Sequence, residues 1–126
     1  MVQSFTVPGR LPGLNEYTYE CRCNPRSGAR MKREAEEAVM WAARAAHLKR
    51  MRPPVHVHVS YYEPNKRRDK DNVYTAIKFI LDALVKIGVL GNDNWEWIGG
   101  DADCGVTNEC HIDRDEPRVA IELKEI

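Results

Sequence analysis

Hydrophobic and polar positions recur along this chain with two distinct periods. From about Gly28 to Arg50, Met31, Ala35, Ala38, Val39, Ala42, Ala45 and Ala46 fall at helical spacing, which predicts a helix with one face to bury. Its first turn and other face carry Arg30, Lys32, Arg33, Arg44, Lys49 and Arg50, interleaved with Glu34, Glu36 and Glu37. Pro53-Pro54 blocks continuation, since proline offers no backbone N–H and disfavours helix in the residue before it. Val55 to Tyr61 then alternates with period two. That predicts a strand with Val55, Val57, Val59 and Tyr61 inward and His56 and His58 outward. The two histidines, at i and i+2, are read as polar strand positions rather than metal ligands. A second helix is predicted from Asn72 to about Val89. There Val73, Ala76, Ile77, Ile80, Leu81, Leu84 and Val85 form an apolar stripe, and Gly88 and Gly91 are stop signals.

Weaker signals fill the remainder. Ser4 to Val7 reads as a short strand stopped by Pro8-Gly9. Arg10 to Ser27 is rich in Gly, Pro, Asn and polar residues and reads as a long loop, a kind that is usually functional or mobile. Short β-like runs follow the second helix at Trp95 to Ile98, Ala102 to His111 and Arg118 to Leu123. The order strand, helix, strand, helix, strands predicts a small α+β fold: a mixed or antiparallel sheet with two main helices, in a single domain over residues 1–126.

Composition narrows the class. With 126 residues, 43% hydrophobic and 30% charged, the chain can bury one core and is not of disordered type. No run approaches the roughly 20 apolar residues of a membrane span. The start, Met1 to Phe5, lacks the basic and apolar segments of a signal peptide, so a reducing cytoplasm is the expected compartment. Formal net charge is zero, but it is segregated. Residues 1–70 hold 14 of the 19 Lys and Arg and only 7 acids, whereas residues 71–126 are acidic in balance. A polyanion responds to a local face, so a basic half beside an acidic cluster suits an enzyme that holds a divalent cation against nucleic acid. A solvated helix surface explains the same pattern about equally well. The cysteines Cys21, Cys23, Cys104 and Cys110, with His111, raise a zinc centre. Their spacings, C-x-C and C-x5-C-H, match no common structural zinc motif, so four reduced thiols are the favoured reading.

The most informative segment is Lys66-Arg67-Arg68-Asp69-Lys70-Asp71-Asn72, placed between a predicted strand and a predicted helix. In extended backbone Asp69 and Asp71 point the same way, and two such carboxylates repel unless a cation or proton lies between them. A hard ion such as Mg²⁺ prefers one or two carboxylates together with water and substrate phosphate. Lys66, Arg67 and Arg68 are placed to hold a phosphate backbone. The structural alternative has Asp71 capping a helix that starts at Asn72, with Asp69 paired to Arg67 or Arg68. A third carboxylate, Asp93, lies in Gly91-Asn92-Asp93-Asn94 just past the second helix. Lys78, two turns after Asp71, can lean back toward the helix start or pair with Asp82 at i,i+4.

In order along the chain, R-R-D-K-D-N, K-F-I-L-D-A-L (Lys78 to Leu84) and G-V-L-G-N-D-N (Gly88 to Asn94) resemble the RusA family of Holliday junction resolvases. Leu11-Pro12-Gly13-Leu14-Asn15-Glu16-Tyr17 is similar to that family's early P-x-x-N element, and the resemblance runs from about Val7 to Trp97. It implies a homodimeric, RusA-like α+β endonuclease that binds four-way DNA junctions and nicks two strands symmetrically with Mg²⁺, with Mn²⁺ a candidate substitute. The acidic residues carry over onto Asp69, Asp71 and Asp93. The catalytic lysine carries over onto Lys78, three residues later than in better-known members, where this chain has Thr75. Lys66, Arg67 and Arg68, with Arg26, Arg30 and Arg33, are the expected phosphate contacts. Asn15 and Tyr17 are candidates for contact with DNA near the junction centre. The Ala-rich first helix is a candidate dimer surface, with Trp41 either its anchor or part of the monomer core. Two other classes stay open: a branched-DNA-binding structural protein that does not cut, and a metal-dependent nuclease acting on flaps, single strands or RNA. A zinc-binding module is a more distant reading.

Overall fold

A computed structural model describes all 126 residues. Its elements are β1 (Val2–Pro8), α1 (Leu14–Cys23), α2 (Pro25–Ala45), β2 (Val55–Glu63), α3 (Lys70–Tyr74), α4 (Ile77–Lys86), β3 (Val106–Ile112) and β4 (Arg118–Glu125). The four strands form one mixed sheet in the order β1-β4-β2-β3. β4 pairs antiparallel with both β1 and β2, and β3 runs parallel to β2. The fold is a small α+β domain, as the alternation of periods predicts.

Register follows from the period-two pattern. Ile121 faces Phe5 on one side and Val59 on the other, so the apolar positions of three strands share one face. Onto that face pack Val39, Ala42 and Ala43 of α2, and Phe79, Ile80, Ala83 and Leu84 of α4, all buried. Full burial of a side chain such as Ile80 or Leu84 contributes about 1.5–3 kcal/mol. The reverse face of the sheet carries His56, His58, Ser60 and Tyr62 of β2 beside Thr107, Glu109 and His111 of β3. No helix of the chain is long and apolar enough to cross a membrane.

Several expectations need correction. The stretch Arg10 to Ser27 is not one loop, because Leu14–Cys23 forms a helix. That helix buries no residue fully, so it shows no apolar stripe in sequence. α2 begins at Pro25 rather than Gly28, since Asn24 caps it by accepting the Arg26 N–H at 2.8 Å and Pro25 suits the first helical position. It ends at Ala45, and the chain beyond is held by β1 instead: the Gln3 carboxamide accepts from Lys49 N and donates to Lys49 O, both at 2.7 Å. Glu36, assigned to the polar face, is only 1% exposed and is held by Lys86 Nζ at 2.8 and 2.9 Å. The second predicted helix is two segments. The Thr75 hydroxyl donates to Asn72 O at 2.8 Å, and i→i+3 bonds such as Lys78 N to Thr75 O break the α-helical ladder there. Trp95 to Ile98 is a turn, attached to the sheet only by Val55 N–H donating to Trp97 O at 2.8 Å and one bridge to Val55. Trp41 is 68% exposed and has no place in the core.

Candidate active site

The site is built at the end of β2, where buried polar groups fasten the N-terminal segment to the basic turn. Glu63, the last residue of β2, is buried and receives Arg10 Nη2 at 2.8 Å. Arg68 donates from Nη1 to Leu11 O at 2.8 Å and from Nη2 to Glu16 Oε2 at 2.6 Å. Its side chain is only 12% exposed. Asn72, also buried, accepts the Asn15 N–H on Oδ1 at 2.9 Å. The fit is close: a Cβ on Gly13 would stand 2.7 Å from Asn72 Oδ1, so only glycine admits this approach. The early P-x-x-N element and the D-x-D-N element therefore touch directly, 57 residues apart in sequence.

Asp69 takes the N-cap position of α3 without a side-chain capping bond. The helix starts at Lys70, so Asp71 lies in its first turn rather than capping it, with Oδ1 accepting the Asn72 N–H at 3.0 Å. Both carboxylates are exposed, and neither forms an ion pair with Lys66, Arg67, Arg68 or Lys70. The pairing of Asp69 with an adjacent arginine is thus not made, because Arg68 turns inward to Leu11 and Glu16. Asp93 is half-buried and comes back to α4, where Lys78 Nζ lies 3.6 Å from its Oδ2 and 3.1 Å from Asp82 Oδ1. The hydrogen bond with Asp82 first, and Asp93 in addition, hold the Lys78 ammonium above its usual pKa. Lys78 thus makes the expected i,i+4 pair and also reaches the Asp93 turn. Asp69, Asp71 and Asp93 do not themselves converge to within 4.8 Å of one another.

The expected cations divide into two kinds. Lys66 and Arg67 are exposed, and Lys66 lines a cleft of about 360 Å³ with Asp69, Lys70 and His111. Arg26, Arg30 and Arg33 are exposed along α2 and form no ion pairs. Arg68 is occupied internally. Asn15 is exposed beyond its backbone contact with Asn72. Tyr17 packs edge-on against Phe79 with centroids 5.4 Å apart. The Cys21 thiol beside it, more than burial, pushes its hydroxyl pKa up.

One convergence was missed by the periodicity. His56 Nδ1 lies 2.6 Å from Asp103 Oδ2, and Cys104 joins them. Alternation placed His56 outward correctly, but nothing in sequence shows that residues 103 and 104 return to it. The residues of the C-x5-C-H segment do not gather at one place. Cys110 lies on the core side of β3 while His111 stacks on Tyr62 on the reverse side, and Cys104 is elsewhere. No protein-family model matches this chain, and no curated protein matches it.

Proposed function

We propose that the chain is a Mg²⁺-dependent endodeoxyribonuclease that resolves four-way DNA junctions by paired symmetric nicks, acting as a homodimer of RusA type. The observation that carries this reading is the return of the Asp93 turn to Lys78, which joins two elements of the motif that lie 15 residues apart across α4. The direct contact of Asn15 with Asn72 supports it from the other side of the site.

The donor type fits the ion, and a bound ion would draw together carboxylates that do not converge without it. Asp69, Asp71 and Asp93 offer only carboxylate oxygens, as a hard cation requires, and Asp69 and Asp71 have no cation partner within the chain. These three residues would hold Mg²⁺, which when bound supplies Lewis-acid stabilisation of charge on the phosphate. Lys78, kept protonated by Asp82 and Asp93, supplies a further positive charge toward a developing oxyanion. Lys66 and Arg67, with Arg26, Arg30 and Arg33, bind the flanking phosphates. Asn15 stands beside the acidic turn with its side chain free to meet DNA, whereas Tyr17 acts chiefly through its packing on Phe79. A twofold dimer matches the two equivalent strands of a four-way junction, and exposed Trp41 on α2 is its candidate anchor.

Cleavage of a labelled synthetic four-way junction in Mg²⁺ tests the proposal, with binding scored in Ca²⁺ on the same samples. Paired, symmetric nicks by the parent, lost in Asp71→Asn while binding persists, are expected. Tight binding without cleavage by the parent protein would instead make it a structural junction-binding factor.

A further inference from the structure

The reverse face of the sheet brings three metal-ligating side chains of different chemistry together. The His56 imidazole, a carboxylate oxygen of Asp103 and Cys104 Sγ all lie within 4.8 Å of one another. Backbone bonds build this cluster. The loop from Gly99 to Gly105 is pinned at both ends to the residues flanking His56: Gly99 N–H donates to Val55 O at 3.0 Å, and Val57 N–H donates to Gly105 O at 2.8 Å. The loop thereby straddles the histidine. Gly99 and Gly105 both take left-handed backbone, with φ of +85° and +83°. A Cβ on Gly99 would stand 2.6 Å from Asp103 O, so the tight fold of the loop requires glycine there. Gly105 N–H donates to Asp103 Oδ2 at 2.9 Å and fixes the carboxylate. On the far side of the ring, His56 Nε2 meets Thr107 Oγ1 at 2.8 Å, the kind of partner that orients a ligating imidazole.

We propose that His56, Asp103 and Cys104 form a Zn²⁺ site, with no ligand in common with the carboxylates assigned to Mg²⁺ but on a cleft that Asp93 also lines. The donor set decides the metal. Imidazole nitrogen, carboxylate oxygen and thiolate sulfur together suit a borderline-soft ion, whereas Mg²⁺ takes oxygen ligands. His56 Nδ1 and Asp103 Oδ2, 2.6 Å apart, share a hydrogen bond in the metal-free chain, and a bound metal would take the place of that proton with the two ligands moving slightly apart. Three protein ligands would leave one position of a tetrahedral ion open, and Asp103 and Cys104 line a cleft of about 320 Å³ with Asp93 and Trp95. The site is therefore of the open kind, able to take water or an anionic oxygen.

The test is titration of the metal-free full chain with Co²⁺ as a spectroscopic substitute, followed by competition with Zn²⁺ and with excess Mg²⁺. The expected result is a thiolate-to-cobalt charge-transfer band with visible bands of tetrahedral intensity, displaced by Zn²⁺ and untouched by Mg²⁺. Cys104→Ser, at an exposed position where the fold has nothing to lose, should abolish the charge-transfer band. Thr107→Val should weaken Zn²⁺ binding by about 10-fold or more. Absence of the band in the parent protein overturns the proposal. So does its persistence in Cys104→Ser, which would assign the thiolate to another cysteine. Because the readout is spectral, it is independent of whether the chain cleaves junctions.

Discussion

In Arg68→Met the side chain keeps an aliphatic stem but loses the guanidinium that bonds Leu11 O at 2.8 Å and Glu16 Oε2 at 2.6 Å. The carbonyl bond comes from a largely buried cation, and such bonds contribute about 1.5–3 kcal/mol. Glu16 is partly exposed, so that pair adds at most about 1 kcal/mol. Buried Glu63 loses a distant partner at 3.7 Å but keeps Arg10 at 2.8 Å, so its desolvation changes little. The total loss is about 2–4 kcal/mol. Unfolding entropy of about 2.1 cal/mol/K per residue, over 126 residues, converts this to a fall in Tm of about 8–15 °C. The contrast is Arg67→Met, at an exposed position with no ion pair, which should leave Tm within about 2 °C. Junction binding across a salt series provides the second axis. Each lost phosphate contact flattens the log–log slope by about 0.9, and that loss is expected for Arg67→Met but not for Arg68→Met. Calorimetry and the salt series on the same two variants decide the matter. If Arg68→Met kept its Tm and flattened the slope, the internal role assigned to Arg68 would be wrong.

Lys86→Met leaves the Glu36 carboxylate buried without its partner and should cost about 3 kcal/mol in urea unfolding, with the double variant Glu36→Leu/Lys86→Met recovering most of it. A double variant no more stable than Lys86→Met alone would refute this. Tyr61→Phe removes a buried hydroxyl that has no hydrogen-bond partner, so stability should hold or rise by about 1 kcal/mol, and a clear fall would show a partner for the hydroxyl. The Arg118 guanidinium, with the N–H groups of Glu116 and Asp115, holds the Asp113 carboxyl below its usual pKa. Its folded value lies under its unfolded one, so the stabilisation is present above about pH 4 and lost as pH falls through the folded value. Asp113→Asn should therefore unfold at lower urea than the parent at about pH 7 and at equal urea in strong acid. A gap that persists in acid would assign the effect to packing.

β2 and α4 were legible because each buries one face continuously, as in Val55 to Tyr61 and in the stripe through Ile80 and Leu84. α1 was not, because a helix that buries none of its residues fully leaves no stripe to read. Glu36 was hidden by its type: a carboxylate is read as solvated until its partner, 50 residues away, is seen. Site chemistry divided in the same way. The local pair Lys78 and Asp82 follows from spacing, but the contact of Lys78 with Asp93 depends on how the chain turns after α4. The cluster of His56, Asp103 and Cys104 depends wholly on backbone bonds between a strand and a loop far along the chain. Arg68 is the converse case. Its neighbours Lys66 and Arg67 made it look like a phosphate ligand, while burial beneath the N-terminal segment gave it other partners.

The strand order carries a consequence for biosynthesis. β4 lies between β1 and β2 in the sheet but is translated after both. Until residues 118–125 leave the ribosome, β1 has no partner and the valine-rich β2 can pair only with β3. A nascent chain halted before Arg118 thus displays an apolar strand edge of the kind that recruits other chains. Vectorial synthesis cannot close this sheet stepwise, and folding must wait for its central strand.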